Sequence, residues 1–366
     1  MRFDGFVGNA DVKRQLSARV DRGRFPHALL IEGPAGSGRR TLARLIAQAA
    51  VCEPGSRPMA DTTGRQNADS ADSMDSADST DSADGARPCG RCPACQKVLA
   101  GGHPDIAEYG GDGSARSFHI DTVRQLRENA FLVPNEAPYR VMILCEAQAM
   151  TEQAQNALLK ILEEPPAYLI CILTCQNRAQ LLPTIQSRLL CLTLQGVSDD
   201  EALPVLKRRL PQVPEESLRR ALRIFGGCIG QALAGLEGDT LQEVLDLAPS
   251  LARAVAAPSE LALLRLTGRL EAKKDAVDGV LTGLILIFRD SLALLSGERQ
   301  FVSTSPQTAQ ILAQSLTRAQ LMRLITEVQR LQEARLRNIN HTLFLTLLCA
   351  RLRAVAEDFD IAEVPE

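Results

Sequence analysis

The chain has 366 residues, of which 45% are hydrophobic and 23% are charged, which is enough for a buried core and for more than one domain. Its formal net charge of -3 neither requires nor excludes a nucleic-acid partner, because phosphate binding depends on where basic residues cluster on the surface. The sequence has no run of eighteen apolar residues, and its start, MRFDGFVGNADVKRQL, lacks the features of a signal peptide, so we expect a cytoplasmic protein without a membrane span.

The first half of the chain alternates between strand and helix patterns. A short apolar run, Ala28 to Glu32, predicts a buried strand, and the glycine-rich loop Gly33 to Gly38 follows it directly. Beyond the loop, apolar residues recur at helical spacing at Leu42, Leu45, Ile46 and Ala49. A strand, a glycine-rich loop and a helix in this order are typical of a phosphate-binding unit, because the loop N–H groups and the helix N-terminus attract anions.

An acidic, low-complexity segment interrupts this pattern. Residues 53–87 contain eight acidic and three basic side chains, and from Asp69 to Asp84 the sequence repeats Asp-Ser-x with a period of three. Such a segment has no apolar face to bury, so we predict a disordered insertion at about residues 55–87. A solvated insertion without function is the simpler interpretation, and phosphorylation or a role as a charged tether is the alternative.

After the insertion, further apolar runs predict strands at Arg140–Cys145, Leu169–Thr174 and Leu190–Leu194. Between the first two runs, Thr151 is a suitable N-cap for a helix that the proline pair at 165–166 ends. Strands that alternate with helices covering both faces imply a parallel, doubly wound sheet. We therefore predict an α/β domain over residues 1–195.

Strand patterns disappear from about Ser198, and Leu, Ala and Arg then recur at three- and four-residue spacing. The second half is therefore predicted to be entirely helical, with a small helical domain at residues 196–240 and a larger helical bundle at 241–366. Two runs in the bundle, Leu281–Phe288 and Leu343–Leu348, are apolar on nearly all sides. Packing inside the bundle is the simpler interpretation of these runs, and an oligomer interface is the alternative.

The glycine-rich loop lacks parts that a nucleotide-binding loop requires. Such a loop continues with lysine, which reaches the β- and γ-phosphates, and with serine or threonine, which binds magnesium; here these positions hold Arg39 and Arg40. The strand that should end in an acidic pair ends in Cys145 and Glu146, so the carboxylate that supports magnesium is absent. We therefore expect this chain not to bind ATP with magnesium. A tight structural turn is the other interpretation of Gly33 to Gly38.

Four cysteines have the spacing of a metal site. Cys89, Cys92 and Cys95 follow one another as CxxCxxC, and Cys52 supplies a fourth thiolate if the insertion loops out. Four thiolates complete the tetrahedral coordination of zinc and leave no open position for water, so we predict a structural zinc module over residues 52–95. An iron–sulfur cluster and a set of reduced, metal-free thiols are the alternatives.

Several motifs together carry a resemblance to a known family. RFPHALLIEGPAGSGRRTLA, the CxxCxxC cluster, NALLKILEEPP and LLPTIQSR stand in the order seen in bacterial clamp-loader subunits of DNA polymerase III. The resemblance is strong over residues 1–240 and looser beyond, where RNINHTLFLTLLCARL is similar to the last collar helix of the family. It implies an AAA+ module with a RecA-like domain and a helical lid, followed by a helical collar that joins subunits in an open ring around primed DNA. It also favours zinc over iron in the cysteine module.

The resemblance assigns roles to residues outside the phosphate loop. Ser187-Arg188 falls where the family has its Ser-Arg-Cys motif, which implies that Arg188 acts as an arginine finger in the ATP site of the adjacent subunit. The third position of the motif is Leu189 here. Thr174 is similar to the first sensor residue, and Gly230 stands where ATP-hydrolysing subunits have the arginine of the second sensor. The glycine is thus a further missing nucleotide contact.

These features lead to one hypothesis and two alternatives. We expect a non-catalytic stator subunit of the clamp loader, with gamma/tau and delta subunits as partners, which meets the sliding clamp and primed DNA through the complex. The first alternative is an ATP-hydrolysing motor subunit of the gamma/tau type, which would bind magnesium ATP by itself. The second is a zinc-dependent nucleic-acid-binding protein, which would bind DNA tightly only with its metal.

Overall fold

The computed structural model describes most of the chain in two compact units. The described residues are 1–20, 25–53, 87–110, 120–298, 301–335 and 340–357. One unit comprises Met1–Gly33 and Gly38–Leu194, and the other comprises Pro34–Ser37 and Gln195–Glu366. The acidic insertion predicted at about residues 55–87 lies outside the described residues except for its last position. The division into three domains stays a prediction.

A sheet of five parallel strands forms the centre of the first unit. Its strands are β1 (Ala28–Glu32), β2 (Ile106–Tyr109), β3 (Arg140–Leu144), β4 (Leu169–Cys175) and β5 (Leu190–Thr193). They lie side by side in the order β2-β3-β4-β1-β5, and every neighbouring pair is parallel. The predicted parallel sheet is confirmed, and four of the strands coincide with the predicted apolar runs to within one residue at each end.

The edge strand β2 was not predicted from the sequence. All four of its residues are half-buried, and its sequence, IAEY, includes a glutamate where a central strand would be apolar throughout. An edge strand pairs on one side only, here with β3, so its side chains need not form a continuous apolar run. The strand is therefore defined by its pairing with β3 rather than by its composition.

Helices cover both faces of the sheet. They are α1 (Ala10–Val20), α2 (Arg39–Val51), α3 (Pro93–Leu99), α4 (Ile120–Ala130), α5 (Glu152–Glu163) and α6 (Pro183–Gln186). On β3, Met142 packs in the same core cluster as Leu158 of α5. The next residue, Ile143, packs in the other core cluster with Ile46 of α2. Because successive strand residues point to opposite faces, α2 and α5 lie on opposite sides of the sheet, as in a doubly wound RecA-like fold.

The second unit consists of helices and connecting loops, without a strand in its described part. The helices are α7 (Asp199–Arg209), α8 (Glu215–Ile224), α9 (Ile229–Glu237), α10 (Thr240–Ala256), α11 (Glu260–Arg269), α12 (Val277–Leu295), α13 (Pro306–Ser315), α14 (Arg318–Arg335) and α15 (His341–Ala356). The central helix α12 packs against α10, α13 and α14, and its Phe288 is fully buried. The predicted all-helical second half is confirmed. None of the described helices is both long and apolar enough to cross a membrane.

A buried carboxylate stabilises the start of β2. The side chain of Asp105 is fully buried and accepts hydrogen bonds from the backbone N–H groups of Asn135, Glu136 and Ala137, at 2.6 to 2.9 Å. Burial by itself raises the pKa of Asp105, but the three N–H donors outweigh it and hold this pKa below its usual value of 3.8. The charged carboxylate therefore ties the loop before β3 to the edge of the sheet.

We expect Asp105→Asn to lower the free energy of unfolding at pH 7 by about 1–3 kcal/mol, because an amide accepts weaker hydrogen bonds than a carboxylate. A group whose folded pKa is lowered stabilises the fold above its unfolded pKa, and this contribution is lost as the pH falls through the folded pKa. The difference between wild type and variant should therefore shrink below about pH 4. Denaturant titrations at neutral and acidic pH measure it, with the exposed Asp4→Asn as control. An equal difference at both pH values would contradict this account.

Candidate functional sites

The loop between β1 and α2 contains two glycines with positive φ angles. Gly36 and Gly38 have φ angles of 72° and 92°, values that glycine adopts without strain, and Gly38 immediately precedes α2. A Cβ atom at Gly38 would also lie 3.1 Å from the ring of Phe6, which leaves little room for any other residue. The N–H groups at the start of α2 are thus placed directly after the loop.

Arg39, at the position of a phosphate-binding lysine, forms an ion pair inside the first unit. Its side chain is 7% exposed, and its Nη2 atom lies 2.8 Å from Oε1 of Glu146. The backbone N–H of Glu146 donates to Oγ1 of Thr174 at 3.0 Å, which joins the turn after β3 to β4. The two charges neutralise each other, although the pair uses only one terminal nitrogen of Arg39, and Nη1 is buried without a hydrogen-bond partner.

A second group of polar side chains, the Glu108 cluster, contains Arg40 and Cys145, the two residues that stand where a nucleotide-binding site would have its magnesium ligands. It consists of Arg40 and Arg44 of α2, Glu108 of β2 and Cys145 after β3. One carboxylate oxygen of Glu108 pairs with Nε of Arg40, and the other lies 2.9 Å from Nη2 of Arg44. Burial raises the pKa of Glu108, but the two guanidinium groups outweigh burial and lower this pKa. The carboxylate is therefore charged and already paired.

Cys145 completes this cluster as a neutral thiol. Its Sγ atom lies 3.4 Å from Oε1 of Glu108. Burial, together with the charge of Glu108, raises the pKa of Cys145 to about 12, so the thiol stays protonated at neutral pH. Magnesium prefers oxygen ligands, and a protonated thiol does not replace one. Glu108 was not predicted as part of a site because β2 was not predicted, and the sequence offered only a single carboxylate in a four-residue strand.

Close packing of two backbone segments within the second unit explains the glycine at position 230. Its N–H group donates to the carbonyl oxygen of Gly36, which belongs to the same unit, at 3.0 Å. A Cβ atom at Gly230 would lie 2.9 Å from the Cα atom of Gly36. One at Gly36 would lie 2.4 Å from the backbone nitrogen of Gln231. Two backbones this close leave no room for the arginine that a second sensor requires.

The Ser187-Arg188-Leu189 segment connects α6 with β5. The side chain of Arg188 is 35% exposed, and its Nη2 atom lies 2.8 Å from Oε1 of Glu163. Its Nη1 atom donates to the carbonyl oxygen of Thr184 at 2.6 Å and to Oγ of Ser187 at 3.3 Å. Leu189 is partly buried against the core that α5 covers, so the residue in place of the family's cysteine adds apolar packing. The side chain of Arg188 is therefore partly exposed, and its contacts with Glu163, Thr184 and Ser187 fix the orientation of the guanidinium.

The four predicted metal ligands come together in the first unit. Cys52 follows the last turn of α2, Cys92 caps α3, Cys95 lies in the first turn of α3, and Cys89 precedes them. Their Sγ atoms all lie within 4.8 Å of one another, and those of Cys89 and Cys95 are 4.0 Å apart. A tetrahedral zinc ion with Zn–S distances of about 2.3 Å holds its sulfur atoms about 3.8 Å apart. The cluster therefore fits a closed site for a metal ion.

Backbone N–H groups point at the sulfur atoms of this cluster. The N–H of Cys89 donates to Sγ of Cys52 at 3.3 Å, and those of Cys92 and Cys95 each donate to the cysteine three positions earlier at 3.4 Å. Burial opposes ionisation of Cys89, but N–H donors at Arg91 and Cys92 lower its pKa to about 7. Cysteine binds metals as the thiolate, so the donors at Cys89 favour metal binding. In the absence of a metal, burial raises the pKa of Cys92, and the side chain of Cys52 together with burial raises the pKa of Cys95. None of the cysteines is in a disulfide.

Known proteins resemble this chain over different shares of its length. A family profile described as "DNA polymerase III, delta subunit" matches residues 59–198. The gamma/tau subunit of DNA polymerase III from Mycobacterium tuberculosis is 35% identical over 188 residues, which cover 51% of this chain and 27% of that protein. The delta prime subunit from Pseudomonas aeruginosa is 32% identical over 206 residues, 56% of this chain and 54% of that protein. The delta prime subunit from Escherichia coli is 26% identical over 354 residues, 96% of each chain.

Two solved structures from Thermotoga maritima are also similar to this chain. A DNA polymerase III gamma subunit-related protein from Thermotoga maritima is 18% identical, covers 72% of this chain and 88% of that chain, and has a TM-score of 0.28. A RuvB variant from the same organism is 14% identical, covers 90% of this chain and 89% of that chain, and has a TM-score of 0.40. The match spans about half or less of the length of two relatives, the gamma/tau subunit from Mycobacterium tuberculosis and the delta prime subunit from Pseudomonas aeruginosa.

Proposed function

We propose that this chain, which belongs to the DNA polymerase III clamp-loader family, is the delta prime subunit, a stator that assists ATP-dependent loading of the sliding clamp on primed DNA without hydrolysing ATP itself. The observation that carries the proposal is that the arginines at two nucleotide-contact positions, Arg39 and Arg40, form ion pairs within the chain. Arg39 pairs with Glu146. Both Arg40 and Arg44 pair with Glu108. A motor subunit needs the corresponding positions free for phosphates and magnesium.

Binding of magnesium ATP to this chain would carry a large energetic cost. The pair with Glu146 neutralises the buried charge of Arg39, so a phosphate would have to compete with this carboxylate for the guanidinium. The missing lysine, hydroxyl and carboxylate contacts would each have contributed about 1.5–3 kcal/mol as charged hydrogen bonds. Because each 1.4 kcal/mol is about a tenfold change in affinity, ATP binding should be weaker by several orders of magnitude.

A gamma/tau-type motor subunit is the second candidate. The gamma/tau relative has the higher identity, 35% against 32% and 26% for the two delta prime subunits. The match to the Escherichia coli delta prime subunit, however, extends over 96% of both chains, whereas the gamma/tau match covers 27% of that protein. Together with the ion pairs, this coverage favours the delta prime assignment.

The proposed subunit acts through its neighbours. Gamma/tau and delta subunits are the proposed partners in a hetero-oligomer, and the sliding clamp and primed DNA are reached through that complex. In the ring, Arg188 would contact the ATP bound by the adjacent subunit, where its cation stabilises the charge that develops on the transferred phosphoryl group. The partial exposure of Arg188 at the surface of the first unit supports this role.

The cysteine module is proposed to hold one structural zinc ion. The ion would be bound by Cys52, Cys89, Cys92 and Cys95. A zinc ion with four thiolate ligands adds a cross-link between chain segments and offers no open position for catalysis. Here it would join the end of α2 to α3, which Gln48 also links by donating to the carbonyl oxygen of Cys95 at 3.2 Å. The module would thus support the helix that begins at the phosphate loop.

The purified chain is expected to show neither magnesium-dependent ATP binding at micromolar concentrations nor ATP turnover. The double substitution Arg39→Lys with Arg40→Thr should restore neither, because Cys145 and Gly230 still lack a carboxylate and a guanidinium. Equilibrium titration with a fluorescent ATP analogue and a phosphate-release assay measure the two quantities, with a gamma/tau subunit as positive control. Turnover that Glu146→Gln abolishes would favour the motor subunit instead.

A reconstituted clamp-loading assay tests the role of the chain in the complex. Gamma/tau and delta subunits should load the clamp on primed DNA efficiently only when this chain is added. Equal loading without the chain would contradict the stator role. Tight DNA binding by the isolated chain that disappears with its metal would favour the zinc-dependent nucleic-acid-binding alternative.

A further inference from the structure

We propose that Glu163 is a positioning residue for Arg188, and that its carboxylate directs the guanidinium toward the ATP of the neighbouring subunit. This inference rests on the proposed action of Arg188 in trans and adds a second residue to it. Glu163 lies in the NALLKILEEPP motif, but nothing in the sequence pairs it with a residue 25 positions later. Only the fold brings the two side chains together, at 2.8 Å between Oε1 and Nη2.

Glu163 extends from a firmly held helix. It is the last residue of α5, whose first turn is capped as predicted by Thr151, with Oγ1 accepting from the N–H of Ala154 at 3.2 Å. Leu162, the residue before Glu163, is buried in the core that α5 covers. The carboxylate therefore starts from a fixed point, whereas Arg188 lies in a short connection between α6 and β5.

Contacts on two different helices orient the guanidinium of Arg188. Nη2 pairs with Glu163 of α5, and Nη1 donates to the carbonyl oxygen of Thr184 in α6 and to Oγ of Ser187. A guanidinium has five N–H groups, so these three contacts leave donors for the oxygens of a phosphoryl group. Attachment through both terminal nitrogens sets the plane of the group. An arginine that stabilises a transferring phosphoryl group depends on this orientation.

The ion pair contributes little to the stability of the folded chain. The side chains of Glu163 and Arg188 are 48% and 35% exposed, and water and salt weaken the attraction between exposed charges. A carboxylate that served stability alone would therefore be replaceable with little effect on ATP hydrolysis. A positioning role predicts the reverse, an unchanged fold and a slower reaction in the neighbouring subunit.

The test is DNA-stimulated ATP hydrolysis by the reconstituted complex, with Glu163→Ala, Glu163→Gln, Arg188→Ala or the double Ala variant in this chain. We expect Glu163→Ala to lower the part of kcat that depends on Arg188 by about 10- to 100-fold, with KM unchanged because the neighbour binds the ATP. Glu163→Gln keeps an acceptor oxygen and should retain more of this activity. The double variant should equal Arg188→Ala. The adjacent exposed carboxylate provides the matched control, Glu164→Ala.

The variants distinguish failure of this inference from failure of the proposed function. If Arg188→Ala is as active as wild type, the action of Arg188 in trans is wrong. If Arg188→Ala is slow while Glu163→Ala equals Glu164→Ala, the positioning role alone is overturned. Hydrolysis faster than wild type in Glu163→Ala would also overturn it, because the carboxylate would then restrain the guanidinium. Thermal unfolding of each variant checks the fold. If Glu163→Ala is unstable, the rate of Glu163→Gln relative to wild type decides the test instead.

Discussion

Arg188→Ala is expected to leave this chain folded and able to join its partners, while it slows DNA-stimulated ATP hydrolysis by the assembled clamp loader. The ion-pair partner Glu163 is 48% exposed, so removal of the arginine leaves no buried charge without a partner. An arginine finger accelerates phosphoryl transfer by roughly 10³ to 10⁵, so the one ATP site next to this chain should become nearly silent. The other sites in the ring keep their own fingers, and only part of the total turnover should therefore be lost.

Rates of hydrolysis and of clamp loading, measured on complexes of matched composition, check this prediction. Size-exclusion chromatography shows whether the variant chain still assembles. Arg127→Ala, which removes an exposed arginine from α4, is the control for a lost surface charge. Clamp loading, measured on the same complexes, should fall further than hydrolysis. If the Arg188→Ala complex hydrolyses ATP and loads clamps at the unmodified rate, Arg188 is structural.

Removal of the metal is expected to have the second large effect, on the stability of the first unit. We expect one zinc ion per chain, and its loss should lower the unfolding temperature and expose α3 to proteases. Structural zinc has an apparent binding free energy of about 10–16 kcal/mol in zinc-finger peptides, where it drives folding. Here Cys52 and Gln48 attach the module to α2, whose apolar residues are buried in the core. Local unfolding is therefore expected rather than collapse of the whole chain.

Elemental analysis and thermal unfolding with and without a chelator measure the metal content and its contribution. Cys92→Ser should lose the ion, whereas Cys191→Ser, at a half-buried cysteine outside the cluster, should keep it. Iron together with inorganic sulfide in the purified chain would show that the cysteines hold an iron–sulfur cluster rather than zinc. A folded chain that holds no metal and does not respond to chelation would exclude the metal site altogether.

Several parts of the fold and of the candidate sites could be predicted because their signals are local. A central strand is buried on both faces and therefore appears as an unbroken apolar run, as in β4, LICILTC. The loop before α2 needs positive φ angles, which explains the glycines at 36 and 38. Cys89, Cys92 and Cys95 are recognisable because thiols three residues apart can meet at one ion.

Contacts between distant residues could not be predicted in this way. Glu108 meets Arg40 and Arg44 across 68 and 64 positions, and Arg39 meets Glu146 across 107 positions. These meetings require β2 to lie beside β3 and α2 to cover the sheet. Neither hydrophobic period nor composition specifies the order of strands in a sheet, and β2 itself has no continuous apolar pattern.

The sequence alone established that Arg39, Arg40 and Cys145 depart from a working magnesium ATP site. The tertiary structure decided how these departures are accommodated: Glu146 neutralises Arg39, and Glu108 contacts both Arg40 and Cys145. The physical reason is that a charge withdrawn from water, such as Arg39 at 7% or Glu108 at 21% exposed, must find an opposite charge or a hydrogen bond within a few ångströms. Such a partner is found through space, so only the folded chain identifies it.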